Sequence, residues 1–339
     1  MIVNRESLLN QLELVQPGLS PREIVEQSSC FIFKDGLVQT YNDEIACRHT
    51  CLLSITGAVQ AAPLMAILRK MVEEEINVEV GEGELLLQGK KRRAGIHMEM
   101  EILLPVDSVE QPTTWKTLNE DFGDAIQIVE QCAGKDESKF ATTCIHVHPK
   151  YIEAFDNYQA SRYKVKTGFA SETLVRRDSL KHIITLGMIE FSETASWVHF
   201  KNANGLMLSC RRFIEDYPPL DKILNVTGTK TTLPKGLADA ADKAQIFSSE
   251  NADNDQVTVE LRPGKLRVTG QGSSGWFSEV KQLTYDGAPI SFLISPKLLM
   301  ELTKRHNECE IAPGCLKVDG GKFVYVTCLG EVGEDDGNE

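Results

Sequence analysis

The sequence predicts an α+β fold built from three tandem copies of one unit, and three observations carry that prediction. Amphipathic helical segments open near residues 63, 178 and 296, so they recur at intervals of roughly 115 and 118 residues. Each is followed by short alternating stretches joined by a turn, which is the pattern of antiparallel hairpins. A chain of 339 residues split three ways gives the same period. That period is too long for a solenoid repeat and fits a whole domain copied in tandem.

The first unit, residues 1–112, opens on a helix whose apolar face is Leu8, Leu9, Leu12 and Val15. A second helix follows Pro63 with Leu64, Ile67, Leu68, Met71 and Val72 on one face, and proline is suited to a first helical turn. A hairpin then pairs residues 77–80 with 85–88 across a Gly-Glu-Gly-Glu turn. The second unit, 113–228, repeats the order with Phe122, Ala125, Ile126 and Val129, then Leu180, Ile183 and Ile184 after Asp178, then strands at 189–191 and 197–200. The third, 229–330, begins with Leu237, Ala240, Ala241 and Ala244, followed by strands at 257–261 and 265–268 around a Pro-Gly turn. Ser295 and Pro296 read as N-cap and first residue of its second helix, carrying Leu298, Leu299 and Leu302. Strands at 308–311, 316–318 and 323–326 close the unit. Polar linkers fall at 111–114 and 227–232, and an acidic tail occupies 331–339.

Composition narrows the function classes. With 42% hydrophobic and 25% charged residues the chain has ample material for packed cores. Its longest apolar runs, 61–68 and 102–106, fall well short of the ~20 residues a membrane helix needs. The N-terminus has no basic-then-apolar leader, and nine cysteines scattered in odd number suit reduced thiols, so a cytoplasmic protein is expected. Cys144, His146 and His148 alternate along one strand, as do Cys47, His49 and Cys51, without a complete tetrahedral ligand set. The run Gly-Gln-Gly-Ser-Ser-Gly at 270–275 lacks the lysine and following helix of a phosphate loop and reads as a turn. No serine-nucleophile elbow occurs. The expectation is a non-enzymatic protein with no metal and no cofactor.

The net charge of −13 would repel nucleic acid if it were spread evenly. The cations, however, sit on the polar sides of the predicted helices: Arg69 and Lys70; Arg176, Arg177 and Lys181; Lys235 and Lys243; Lys297, Lys304 and Arg305. Charged helix faces are ordinarily just solvated, so this placement permits a basic surface without establishing one.

The order of segments resembles the beta sliding clamps of bacterial DNA polymerase III, phage-encoded relatives included. RRFIEDYPPLDKIL at 211–224 is similar to the segment closing the second domain of that family. AQIFSSEN at 244–251 with the following hairpin resembles the start of its third domain. Residues 62–87 resemble the helix and hairpin of its first, and 285–302 the matching part of the third.

The resemblance implies three clamp domains per chain, closed head to tail into a homodimeric ring with helices inside and antiparallel sheets outside. Double-stranded DNA would pass through the ring, met without sequence preference by the cations named above. A DNA polymerase and a clamp loader would be partners, in a bacterial cytoplasm or an infected host cell. The resemblance places a dimer interface at Ile96 and Met98 against Ile246 and Phe247 of the other chain. It places a partner-peptide pocket at Arg162, Tyr163, Pro218, Ile223, Tyr325, Val326 and Thr327. The family's Asp-Gly-His-Arg-Leu stretch reads here Gln-Ala-Ser-Arg-Tyr at 159–163, so altered peptide preference is expected. The alternative is a clamp-fold interaction scaffold that does not encircle DNA.

Overall fold

The computed structural model describes residues 1–248 and 256–331; the side chains of Leu298, Glu301, Leu302, Lys304, Arg305 and Glu331 lie outside the described set. The first third contains β1 (Ile2–Asn4), α1 (Arg5–Leu14), β2 (Cys30–Lys34), β3 (Leu37–Tyr41), β4 (Ile45–Thr50), β5 (Gly57–Gln60), α2 (Ala61–Lys70), β6 (Glu75–Val80), β7 (Glu84–Gln88) and β8 (Arg93–Glu99). The second contains β9 (Lys116–Thr117), α3 (Phe122–Val129), β10 (Cys144–His148), β11 (Tyr151–Phe155), β12 (Gln159–Lys164), β13 (Thr173–Arg176), α4 (Arg177–Leu180), α5 (His182–Thr185), β14 (Met188–Glu193), β15 (Trp197–Asn202) and β16 (Met207–Phe213). After the short α6 (Asp221–Leu224) come β17 (Thr229–Thr232), α7 (Leu237–Ser248), β18 (Val257–Arg262), β19 (Lys265–Gly272), β20 (Gly275–Gln282), β21 (Ile290–Ile294), α8 (Pro296–Arg305), β22 (Glu308–Ala312), β23 (Cys315–Asp319), β24 (Phe323–Cys328) and β25 (Gly330–Glu331).

One order, strand, helix, four strands, helix, three strands, therefore occurs three times, with the second helix of the middle copy broken in two. The pairings repeat with it. The opening strand pairs antiparallel with the strand after the second helix in each copy: β1 with β6, β9 with β14, β17 with β22. Likewise β2 pairs with β5, β10 with β13 and β18 with β21. The two helices of each copy pack on each other: α1 on α2, α3 on α5, α7 on α8.

By compactness the chain divides into two units, one of residues 1–131, 135–152 and 165–216, the other of 132–134, 153–164 and 217–339. In the first, the predicted helix faces are buried: Leu8, Leu12 and Val15 from α1 and its end, Leu64 and Leu68 from α2, and Phe122, Ala125, Ile126 and Val129 from α3. Two expectations fail locally. Helix α2 stops at Lys70, Met71 turns extended and Val72 is 75% exposed. The stop has a donor: the Arg5 guanidinium bonds the Leu68 and Glu73 carbonyls at 3.0 Å each, supplying partners that the helix end cannot provide for itself. The helix expected after Asp178 is two single turns, α4 and α5, leaving Ile184 exposed. Ile183, Ile184 and Thr185 are all β-branched, which disfavours a longer helix.

In the second unit β18 to β21 and β25 form a five-stranded sheet in the order β20-β19-β18-β21-β25. Helix α7 lies directly on β19 through Ala240, Ala241 and Ala244, all fully buried. The approach is so close that a methyl at Gly270 would collide with the Ala244 carbonyl. Glycine at 270 is thus a contact requirement, and the turn itself is confined to 273–274, with Gly272 opposite Gly275.

Candidate functional site

Two ladders join successive thirds, and they follow one rule: the last strand of a copy pairs antiparallel with the third of the four sheet strands in the preceding copy. The first ladder sets β16 against β4, Met207 opposite Arg48 through Cys210 opposite Ile45. Its surroundings are filled. Arg211 bonds Asp43 at 2.6 Å and lies 4.4 Å over the Trp197 ring, which packs with Tyr41 and Ala46 in a buried cluster. Arg176 pairs with Glu44 at 3.1 Å and Glu137 at 3.0 Å, and stacks over Phe140. The cavity beside this ladder holds only about 10 Å³.

The second ladder sets β24 against β12, Gln159 opposite Thr327 through Tyr163 opposite Phe323. Here a groove of about 450 Å³ remains, with Tyr158, Gln159, Leu293, Ser295, Thr327 and Cys328 among its lining residues. Strand alternation divides the expected pocket positions between the two faces of the sheet. Thr327 reaches the groove, while Tyr163 and Tyr325 are buried, the Tyr325 hydroxyl donating to Gln159 Oε1 at 2.7 Å. On the other face Val326 is buried with Ala160 under Leu220 and Leu224, and Pro218 and Ile223 are exposed along and beside α6. Arg162 ties that face together, bonding the buried Glu153 at 2.6 Å and Asp221 of α6 at 2.7 Å. The seven positions therefore supply an apolar shelf and one wall of a groove. Sequence reasoning missed Tyr158, Leu293, Ser295 and Cys328, which come together only through the ladder.

The expected DNA-facing cations whose side chains are described fall into three groups. Lys70, Lys235 and Lys297 are exposed. Arg69 pairs with Glu13 at 2.9 Å, Lys181 and Arg177 share Asp178 at 2.9 and 3.0 Å, and Lys243 pairs with Asp239 at 2.6 Å. Exposed pairs of this kind are weak and a phosphate can compete for the cation. Arg176 departs from the expectation, since the first ladder's acids and Phe140 occupy its guanidinium. The side chains of Lys304 and Arg305 lie outside the described residues, as do 332–339 of the acidic tail and 249–251 of the resembling stretch.

The interface positions also divide. Ile96 and Met98 point into the core of their own sheet at 7% and 1% exposure, because β8 alternates and His97 takes its open face. The backbone of β8 is a different matter: it pairs with β7 along 93–97 on one edge and meets β5 only at Met98 and Glu99 on the other. Strand β20 is the edge of its sheet; its Trp276 is 70% exposed and Ile246 of α7 is 65% exposed. Phe247 is half-buried against the Gly275 end of β20.

The cysteine and histidine strands hold buried thiols and packed imidazoles. Burial pushes the Cys144 and Cys47 thiols up to about 12, so neither is a thiolate near neutral pH. His148 stacks on Tyr151, and His146 lies 3.3 Å from Glu172. Among the described residues no group of three or more His, Cys, Asp or Glu could hold a metal ion, and no helix is long and apolar enough to cross a membrane.

Three copies of one α+β unit, joined edge to edge by equivalent ladders, make the fold that of the sliding clamps. The chain superimposes on the DNA polymerase III subunit beta of Pseudomonas aeruginosa with a TM-score of 0.76 and 15% identity, over 98% of this chain and 100% of that one. The sliding clamp of Bartonella birtlesii bound to griselimycin gives 0.82 and 14%, over 98% and 99%, and the beta subunit of Thermotoga maritima 0.78 and 13%, over 98% and 99%. No family model matches the sequence, and no curated protein matches it.

Proposed function

We propose that this protein is a DNA sliding clamp, a non-enzymatic processivity factor that encircles duplex DNA and tethers a replicative polymerase. The observation that carries the reading is the clamp fold along 98% of the chain. The repeated element order supports three domains per chain, divided near residues 112 and 228.

The joint rule supports head-to-tail closure. It uses the last strand of one copy and the third sheet strand of the copy before, and the two such strands left over are β8 and β20. Equivalent positions come from the repeated registers, Val59–Met98 with Val175–Arg212 and Leu37–Thr50 with Lys265–Gln282. On this reading Ile96 of one protomer would lie opposite Phe277 of its partner and Arg93 opposite Val280. A second copy would cover Trp276 and Ile246 as well. Two chains would supply six domains.

Within the ring Arg69, Lys70, Arg177, Lys181, Lys235, Lys243, Lys297, Lys304 and Arg305 meet phosphates without reading bases, so retention on DNA is topological and salt-sensitive. The groove beside β24 receives a peptide of the polymerase or clamp loader. The setting is a bacterial cytoplasm or an infected host cell, and the protein is of phage type.

The test is negative-stain imaging with light-scattering mass on the same micromolar sample. Closed rings at twice the chain mass, converted to monomers by Phe277→Asp, are expected. Monomers at every concentration, with no retention on circular DNA after loading, would overturn the reading.

A further inference from the structure

We propose that Cys315 and Cys328 form a redox-responsive dithiol that closes to an intramolecular disulfide across the β23–β24 hairpin. The two residues are direct cross-strand partners, so their side chains stand on one face of the sheet. Leu329 N donates to the Gly314 carbonyl and Gly320 N to the Phe323 carbonyl, each at 2.8 Å, which fixes the hydrogen-bonded pairs on either side. Alternation along the antiparallel ladder then makes 315/328 a non-hydrogen-bonded pair, with Cα atoms about 4.5 Å apart and side chains at their closest. That separation lies at the short end of the range a disulfide spans, which favours a bond that forms and is also readily reduced.

The two thiols have different surroundings, and this assigns their roles. Cys328 is exposed. Cys315 is half-buried against the Ala160, Leu220, Leu224 and Val326 cluster, and burial raises its thiol above the ordinary value. With a peroxide as oxidant, the Cys328 sulfur attacks one peroxide oxygen, forming a sulfenic acid and releasing water. The Cys315 sulfur then attacks the sulfenic sulfur and expels a second water; two thiols and one hydrogen peroxide give one disulfide and two waters. Cys47 and Cys210 are also neighbours, but both are wholly buried beneath the first ladder, out of an oxidant's reach.

The inference rests on the hairpin alone and is independent of the clamp reading. The test treats the reduced full chain with hydrogen peroxide, alkylates the remaining thiols and digests with trypsin without reduction. The expected product is peptide 306–317 linked to peptide 323–339 in material of single-chain mass on a denaturing non-reducing gel, formed roughly tenfold faster than any other thiol is lost and reversed by dithiothreitol. Fragmentation distinguishes Cys315 from Cys309, which shares the first peptide. Cys315→Ser and Cys328→Ser should each abolish the link, and Cys309→Ser should leave it. A sulfinic Cys328 with Cys315 still alkylated, or a link only between molecules, would overturn the proposal.

Discussion

The two ladders that join successive thirds have the same topology and different finishes. The β4–β16 ladder is packed over by Trp197, Tyr41 and two arginine–carboxylate clusters, and a cavity beside it holds about 10 Å³. The β12–β24 ladder keeps about 450 Å³ open and bridges its other face with one arginine. One joint is packed over, and the other leaves a groove open beside it. The difference lies in side chains, because backbone pairing is equivalent in both.

Trp197→Ala should sharpen the contrast most. Removing this buried ring empties the first joint, and a loss of about 4 kcal/mol is expected in chemical denaturation. Arg162→Met should cost about 3 kcal/mol by leaving the buried Glu153 without its cation, whereas Asp221→Asn should cost under about 1 kcal/mol. Equal losses for both variants would mean that the bridge to α6, and not the buried pair, holds that face.

Acid should open the first joint before the second. His199 donates or accepts between Thr194 at 3.0 Å and Ser209 at 2.8 Å, and burial lowers its pKa to about 4. Its neutral form is the folded form, so this contribution is fully present above the unfolded value near 6.5 and is lost as pH falls through about 4. At most about 3 kcal/mol is at stake. Unfolding measured between pH 7 and 4 should lose this slope in His199→Gln. The smallest effect is expected at Arg69→Ala, under about 1 kcal/mol of stability for an exposed pair, together with a shallower salt dependence of DNA retention.

The helix faces and hairpins were legible because burial imposes a period. Phe122, Ala125, Ile126 and Val129, and Leu237 with its alanines, lie where their spacing sets them. What periodicity could not reveal came from long-range partners. The end of α2 depends on Arg5, more than sixty residues upstream. Gly270 reads as a turn until α7 is laid against it. Arg176 and Lys181 look alike on a helical face, yet Glu44 and Glu137 occupy one and only a neighbouring aspartate meets the other. The groove was the least legible feature, since Tyr158 of the β11–β12 turn, Leu293 of β21 and Cys328 of β24 lie in segments that no local pattern relates.

Both ladders described above are formed by strands of a single chain, while the β8 and β20 edges have no such tether. The covalent connection gives the internal ladders an effective concentration of order millimolar or above, whatever the amount of protein present. Dilution therefore bears on the proposed third seam alone. Of the joints in such a ring, it is the one whose occupancy a cell could set through the number of copies it makes.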